Sequence, residues 1–278
     1  MHLGFLHDQR FTQRPGGATR LAERLYAAAP PQHQVTWLTV DQDFDHDCDA
    51  YVLVQTKFYP APVLDHVLTR PFVRYELDYW GNDEPGARYR DALNEQTRRV
   101  LFVSPLHQDV YQYRHHVDLS SKSGLVACAM DPAEFAPARA RADVAGRQDA
   151  IWFGEWAWGK APDIAMKWAL EHETPTDFYS PTMPPNSKAP NRFVQLHGRA
   201  SEEGWWDTIA RHRQFVHFPR QPECFSMAPL EAALLGCESI VAGRQGWESF
   251  GLDIDGIVDL CSHGAERFWE MTLDALGE

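Results

Sequence analysis

Two glutamates with seven residues between them, Glu223 and Glu231, fall in the segment Pro222-Glu223-Cys224-Phe225-Ser226-Met227-Ala228-Pro229-Leu230-Glu231-Ala232-Ala233-Leu234-Leu235-Gly236. A strand pattern ends just before it at His217-Phe218-Pro219, so Glu223 belongs to a loop. Ser226 occupies an N-cap position, and Pro229 fits a first helical turn, where an amide has no intrahelical partner to lose. Gly236 falls where a helix end expects glycine. These signals predict a helix over Ala228–Leu235 with the amides of Met227 and Ala228 at its positive end, an anion site suited to a diphosphate. Helical side chains lean toward the N-terminus, so Glu231 can accept hydrogen bonds from ribose hydroxyls while Glu223, on the loop, meets a sugar. Taken alone, the spacing of the two glutamates recurs by chance as a loop residue and a helix-surface residue. The flanking loop–helix signals give it weight.

The elements that must position these groups alternate. Leu3–Leu6 is a short apolar strand, followed by the turn Pro15-Gly16-Gly17 and a helical pattern through Ala18, Leu21, Ala22, Leu25 and Tyr26 that Pro30-Pro31 stop. A strand, a glycine-bearing loop and a helix open a nucleotide-binding α/β domain. Further strands are expected at Val35–Val40, Tyr51–Gln55, Phe72–Tyr75, Val100–Ser104 and Leu125–Ala129, with helices at Pro62–Leu68, Gly86–Arg98 and Leu106–His115. Residues Pro132–Gln148, rich in Ala, Arg and Pro, read as an interdomain linker. A second run starts with strand Ala150–Phe153 and places Lys160 at a strand–loop–helix junction. It continues through a helix around Ile164–Leu170, strand Phe193–Leu196, helix Trp205–Ala210, strand Gln214–His217, the Ala228–Leu235 helix and strand Ser239–Ala242. Tyr179–Pro190, with four prolines, reads as a surface loop. Parallel sheets covered by helices follow from this alternation, in two domains, 1–140 and 141–278, with a cleft between them.

Composition sets the class. The 278 residues are 44% hydrophobic and 23% charged, enough for two ordinary cores, and no apolar run has the length a membrane span needs. The N-terminus turns polar too soon for a signal peptide. Five scattered cysteines without a CxxC pair fit thiols in a reducing cytoplasm, and the thirteen histidines lack the HxxxH or HExxH spacing of a metal site. The adjacent His115 and His116 read as surface residues. A formal net charge of −13 opposes broad nucleic-acid binding. Trp152 and Trp205 read as packing residues, whereas Trp156 and Trp158 flank the Lys160 loop. The acidic run Asp41–Asp49 reads as a solvated loop.

The ordered set of motifs resembles the family-4 retaining glycosyltransferases, which have the GT-B fold of two Rossmann-like domains facing a cleft. Glu223 and Glu231 resemble that family's E-x7-E motif, Gly16-Gly17-Ala18 its N-terminal glycine loop, and Val103-Ser104 a strand end leading into the first domain's late helices. Asp131-Pro132 with Phe135-Ala136-Pro137 resembles the signature preceding its second domain, and Phe153-Gly154 through Lys160 its diphosphate-binding strand and loop. The resemblance implies sugar transfer from a nucleotide-diphosphate sugar with retention of configuration and without a metal or bound cofactor. Glu223 and Lys160 would be catalytic, and Gly16, Gly17, Met227, Ala228 and Glu231 would bind the donor. Asp78, Tyr79 and His107 would face the acceptor, which is a saccharide, a small molecule or a modified base such as hydroxymethylated DNA. Two departures stand out. Glu155 replaces the arginine of the family's Arg/Lys pair, leaving Arg10, Arg14, Arg199 or Arg220 to supply the charge. Tyr75-Glu76-Leu77-Asp78-Tyr79-Trp80 lacks the histidine of its His-Asp pair. A nucleotide-sugar epimerase and a non-catalytic nucleotide-sugar-binding protein remain as alternatives.

Overall fold

A computed structural model describes residues 1–9, 16–41, 47–79, 94–200 and 204–278. The chain divides into two compact units, Met1–Met130 with Ser249–Glu278, and Asp131–Glu248. The first unit holds a six-stranded parallel sheet in the order β2-β1-β3-β4-β5-β6, formed by β1 (His2–His7), β2 (Gln34–Leu38), β3 (Ala50–Gln55), β4 (Phe72–Glu76), β5 (Thr97–Phe102) and β6 (Ser123–Leu125). Its central strands are nearly continuous buried runs rather than alternating ones, because helices cover both faces of a parallel sheet. The crossovers include α1 (Gly17–Ala27), which buries Leu21, Ala22 and Leu25, α2 (Ala61–Val67) and α3 (Pro105–His115). Ser104 caps α3 by accepting a hydrogen bond from the His107 amide. The expected helix Gly86–Arg98 lies outside the described residues up to position 93, and Thr97 and Arg98 belong to β5. Gln42 to His46 of the acidic run also lie outside them.

The second unit holds a five-stranded parallel sheet in the order β11-β10-β7-β8-β9: β7 (Gln148–Phe153), β8 (Thr176–Tyr179), β9 (Val194–His197), β10 (His212–His217) and β11 (Glu238–Val241). The stretch expected to be a linker instead forms a 3-10 turn, Pro132–Glu134, and helix α4 (Ala136–Ala145). Phe135, Ala138 and Ala142 are buried there. Ala138 and Ala142 are buried in α4 without the large apolar residues that make a periodic pattern visible. The short strand β8 is a further addition to the expected elements, hidden because two of its four residues, Thr176 and Asp177, are polar. α5 (Pro162–Glu171), α6 (Trp205–Ala210) and α7 (Met227–Leu234) cover the sheet, and Trp152 and Trp205 pack inside this unit, stacked on Phe178 and Phe153.

The domain boundaries differ from expectation. The final helices α8 (Ile254–Ser262) and α9 (Gly264–Leu276) belong to the first unit, not the second. α9 buries Gly264, Phe268, Trp269 and Thr272 along one face. Phe268 meets Tyr75 of β4 with ring centroids 5.2 Å apart, and Trp269 Nε1 donates to the Leu25 carbonyl of α1 at 2.7 Å. An amphipathic pattern shows that a helix packs, not which sheet receives it. The apolar run expected as strand Leu125–Ala129 pairs only through Leu125. The Val126 amide donates a last bond to the Phe102 carbonyl of β5, Ala127 to Met130 are buried beyond it, and the Met130 amide donates to the Cys261 carbonyl of α8. No helix among the described residues is long and apolar enough to cross a membrane, and none of the five cysteines is in a disulfide.

The docking of α9 leaves no room at its first residue. A Cβ on Gly264 would lie 2.7 Å from the Ala127 carbonyl oxygen and 3.0 Å from Ala129 Cα, and these are backbone atoms that cannot swing aside. Gly264→Ala is expected to lower stability by about 1–3 kcal/mol, the usual cost of overpacking, as read by chemical denaturation. Unchanged stability would contradict this packing of the chain's end on the first unit.

Candidate functional site

The second sheet winds outward in two directions. From β7 the chain proceeds to β8 and β9 on one side, then returns to place β10 and β11 on the other. The carboxyl ends of β7 and β10 are therefore adjacent while the chain goes on from them to opposite sides of the sheet, which is where open parallel sheets bind ligands. The loop after β7 carries Lys160, and the loop after β10 carries Arg220, Glu223 and Ser226.

The two loops converge on one carboxylate. Lys160 Nζ forms an ion pair with Glu223 Oε1. Glu223 Oε2 receives the Ser226 hydroxyl at 2.5 Å and stands 3.1 Å from His217 Nε2, which is itself 3.2 Å from Ser226 Oγ. The Glu223 amide donates to the Arg244 carbonyl at 3.1 Å, fixing the loop to the segment after β11. Glu223 is 13% exposed, His217 4% and Lys160 40%, so charge on the lysine side reaches solvent while the histidine side is closed. Burial alone would raise the pKa of Glu223. The hydrogen bond from His217 and the charge of Lys160 outweigh it and hold the carboxyl well below its ordinary value of 4.5.

α7 follows directly. Its first-turn amides belong to Met227, Ala228 and Pro229, the last contributing no N–H, and Pro229, Leu230, Glu231 and Ala232 are buried. Glu231 is 6% exposed, so it stands inside the packed helix end. Gly236, at φ +85°, ends the helix as expected: its amide donates to Ala233 and that of Cys237 to Ala232, the paired bonds of a Schellman cap. Ser226 corrects the N-cap expectation. It sits at φ 73°, ψ 73° without a side-chain cap bond, and its hydroxyl turns to Glu223 instead. A left-handed residue other than glycine costs about 1–2 kcal/mol, which the ionised acceptor offsets.

Of the arginines that could stand in for Glu155, which is exposed, Arg220 of the loop after β10 packs against the Lys160 loop. Its amide donates to Gly159 at 2.9 Å, its Nη1 to the Trp158 carbonyl at 2.8 Å, and its guanidinium covers the Trp158 ring at 5.3 Å while pairing with Asp163. Arg199 is exposed after β9, and Arg10 and Arg14 lie outside the described residues.

In the first unit the order of strands reverses at β1 and β3. Gly16 and Gly17 begin α1 after β1, and a Cβ on either would meet nothing within 4 Å, so packing does not demand glycine there. Asp8, unremarked in the sequence, accepts the amides of Lys57 and Phe58 at 3.1 and 3.0 Å, and Lys57 Nζ pairs with Asp78 at 2.5 Å. Asp78, Tyr79 and His107 do come together: His107 Nε2 is 3.2 Å from the Asp78 carbonyl, and its ring meets Tyr79 edge-on. His107 is fully buried, and burial pushes its pKa down to about 4, so it is neutral at pH 7. Tyr79 is also buried, and of the three only Asp78 has an appreciably exposed side chain. His107 thus braces the chain behind Asp78 instead of reaching a ligand.

Sequence reasoning missed His217 and the second role of Ser226. The available signal was a histidine closing a strand at its carboxyl end, one loop ahead of the glutamate.

A depressed carboxyl pKa makes stability depend on acidity. The unfolded chain binds this proton near 4.5 and the folded chain only at lower pH, so stability from Glu223 is present above that value and lost as pH falls through the folded pKa. Glu223→Gln is expected to flatten the loss of stability between about pH 5 and pH 3 measured by urea unfolding, the range in which unfolded carboxylates take up protons. An unchanged slope would contradict the pairing.

No family model and no curated protein matches the sequence. Solved structures match the fold. HepE from Anabaena, crystallised in complex with UDP and glucose, superposes with a TM-score of 0.66 at 13% identity over 99% of this chain and 96% of that one. AviGT4, a glycosyltransferase involved in avilamycin A biosynthesis, gives 0.66 at 14% identity over 100% and 99%. An α-glucosyltransferase in complex with UDP-glucose and DNA containing an abasic site gives 0.56 at 10% identity over 98% and 94%. Two parallel sheets with interleaved helices, matched along nearly the whole chain, give this protein the GT-B fold of these glycosyltransferases.

Proposed function

We propose that the protein is a glycosyltransferase that takes a sugar from a nucleotide-diphosphate sugar held by its second unit. The observation that carries this reading is the convergence of Lys160, Glu223 and the start of α7 at the switch point between β7 and β10. A cation and helix-end amides suit a diphosphate, and a buried, ionised carboxylate suits the hydroxyls of a sugar. HepE and the DNA α-glucosyltransferase, both crystallised with UDP or UDP-glucose, support a nucleotide-sugar donor for this fold.

In the reaction, the bond from the anomeric carbon to the diphosphate oxygen breaks and a bond to an acceptor oxygen forms. The acceptor's proton leaves with the diphosphate. Negative charge grows on the departing group, and Lys160 with the Met227 and Ala228 amides offsets it electrostatically. Lys160 is paired with Glu223 before the donor arrives, so binding trades one anionic partner for another. Glu231 orients the ribose and Glu223 the sugar, and transfer proceeds with retention and without a metal. Asp78, with Lys57 beside it, is the acceptor-side group of the first unit, and Gly16 and Gly17 present backbone to the donor's phosphates. The acceptor is a saccharide, a small molecule or a modified DNA base.

A thermal-shift and hydrolysis screen against UDP-, GDP-, ADP- and TDP-sugars tests the donor, since a ligand raises apparent stability by mass action. Product analysis with donor alone separates transfer from epimerisation. Lys160→Ala and Glu223→Ala are each expected to reduce transfer at least about tenfold, the scale of one lost charged contact. Parental turnover in both would remove the site assignment.

A further inference from the structure

Ser226 holds a backbone conformation that glycine adopts freely and other residues rarely do, with φ 73° and ψ 73°. Glycine would satisfy this turn at no steric cost, so a serine here needs a reason outside the backbone. Its hydroxyl supplies one: it donates to Glu223 Oε2 at 2.5 Å instead of capping α7. His217, at the last position of β10 and with its side chain 4% exposed, brings Nε2 to 3.1 Å from the same oxygen. With its proton on Nε2 the ring is a second donor to Oε2. Lys160 meets the other oxygen, Oε1. The carboxylate is thus held from two sides by different kinds of group. A solvent-reachable lysine on a loop stands at one oxygen, and a buried strand residue with a strained turn residue stands at the other.

We infer that Ser226 and His217 are positioning residues: together they fix Glu223 Oε2, and with it the direction in which this carboxylate meets the sugar of the donor. This rests on the nucleotide-sugar reading of the site. Neither residue needs to touch the ligand. Losing either leaves Oε2 with one directional donor in place of two, so the carboxylate turns more readily about its terminal bond. The nucleotide half of the donor, held by the amides of α7, feels little of this. The sugar half feels all of it, so a positioning role separates affinity for the nucleotide sugar from affinity for the bare nucleotide. A purely structural role would move both together or would appear as lost stability.

Ser226→Gly is the sharpest test because it removes the hydroxyl while relieving the positive φ. Its melting temperature is expected to stay within about 2 °C of the parent, the two effects opposing each other. Calorimetric titration of the full chain uses whichever of UDP-, GDP-, ADP- or TDP-glucose binds the parent, alongside the matching nucleoside diphosphate. The nucleotide sugar is expected to bind Ser226→Gly about five- to tenfold more weakly, as one charged hydrogen bond dictates. The diphosphate is expected to bind within about twofold, since its contacts are untouched. His217→Phe should behave likewise, and His217→Gln, whose amide nitrogen reaches the place of Nε2, should recover most of the loss. Parental nucleotide-sugar affinity in Ser226→Gly, or an equal fall for both ligands, overturns the inference and leaves the donor reading intact. If none of the four sugars binds the parent, the donor reading itself falls, and the inference with it.

Discussion

Keeping one carboxylate charged while most of its surface is withdrawn from water is the constraint on which the second unit turns. Burial of Glu223 would by itself favour the neutral acid, and a neutral acid accepts hydrogen bonds poorly. Three donors from three separate elements prevent this: Lys160 after β7, His217 at the end of β10 and Ser226 at the start of α7. Neither His217 nor Ser226 is near Lys160 in sequence, so the cluster exists only when β7 and β10 lie side by side with both carboxyl ends at one edge. The order of the sheet and the chemistry of the site are in this sense one fact.

The first unit meets a related problem with other means. At the reversal between β1 and β3, Asp8 is satisfied by two backbone amides of the next loop, and Lys57 of that loop turns to Asp78 beyond β4. Beneath them Arg74 and Glu76 form a buried ion pair on β4 itself. Such a pair is retained at a desolvation cost and is weak evidence for stability. Burial pushes the Glu76 carboxyl up from its ordinary value, against the pull of the Arg74 charge. Buried, neutral His107 completes the arrangement from α3 by holding the Asp78 carbonyl. Each unit therefore presents a Lys–carboxylate pair at its switch point: Lys160–Glu223 in one and Lys57–Asp78 in the other.

Where the sequence is legible, the reason is a physical signal strong enough to survive without context. The strand at Leu3–Leu6, the helix at Trp205–Ala210 and the α7 segment between a loop glutamate and Gly236 each combine apolar patterning with the right punctuation, and each appears within a residue or two of its expected place. The misreadings have an equally physical source. α4 hides because its buried residues Ala138 and Ala142 are too small to stand out among the arginines between them. Ala127–Met130 looks like a strand because burial, not pairing, selects apolar residues. The Ser226 side chain reads as a cap for the helix amides because a serine before a helix usually is one, whereas the nearby charged oxygen is the stronger acceptor.

The sequence by itself determined the alternation of strands and helices, the two α/β halves and the candidacy of Lys160, Glu223 and the α7 N-terminus, because these depend on local propensity and short-range spacing. The tertiary structure alone decided that the last thirty residues return to the first unit, that His107 is enclosed, and that His217 and Ser226 share the oxygen of Glu223. Those outcomes depend on which surfaces meet. Amphipathic patterns and residue types specify that a surface must be covered or a donor satisfied, but the partner is chosen only by the packing of the whole unit.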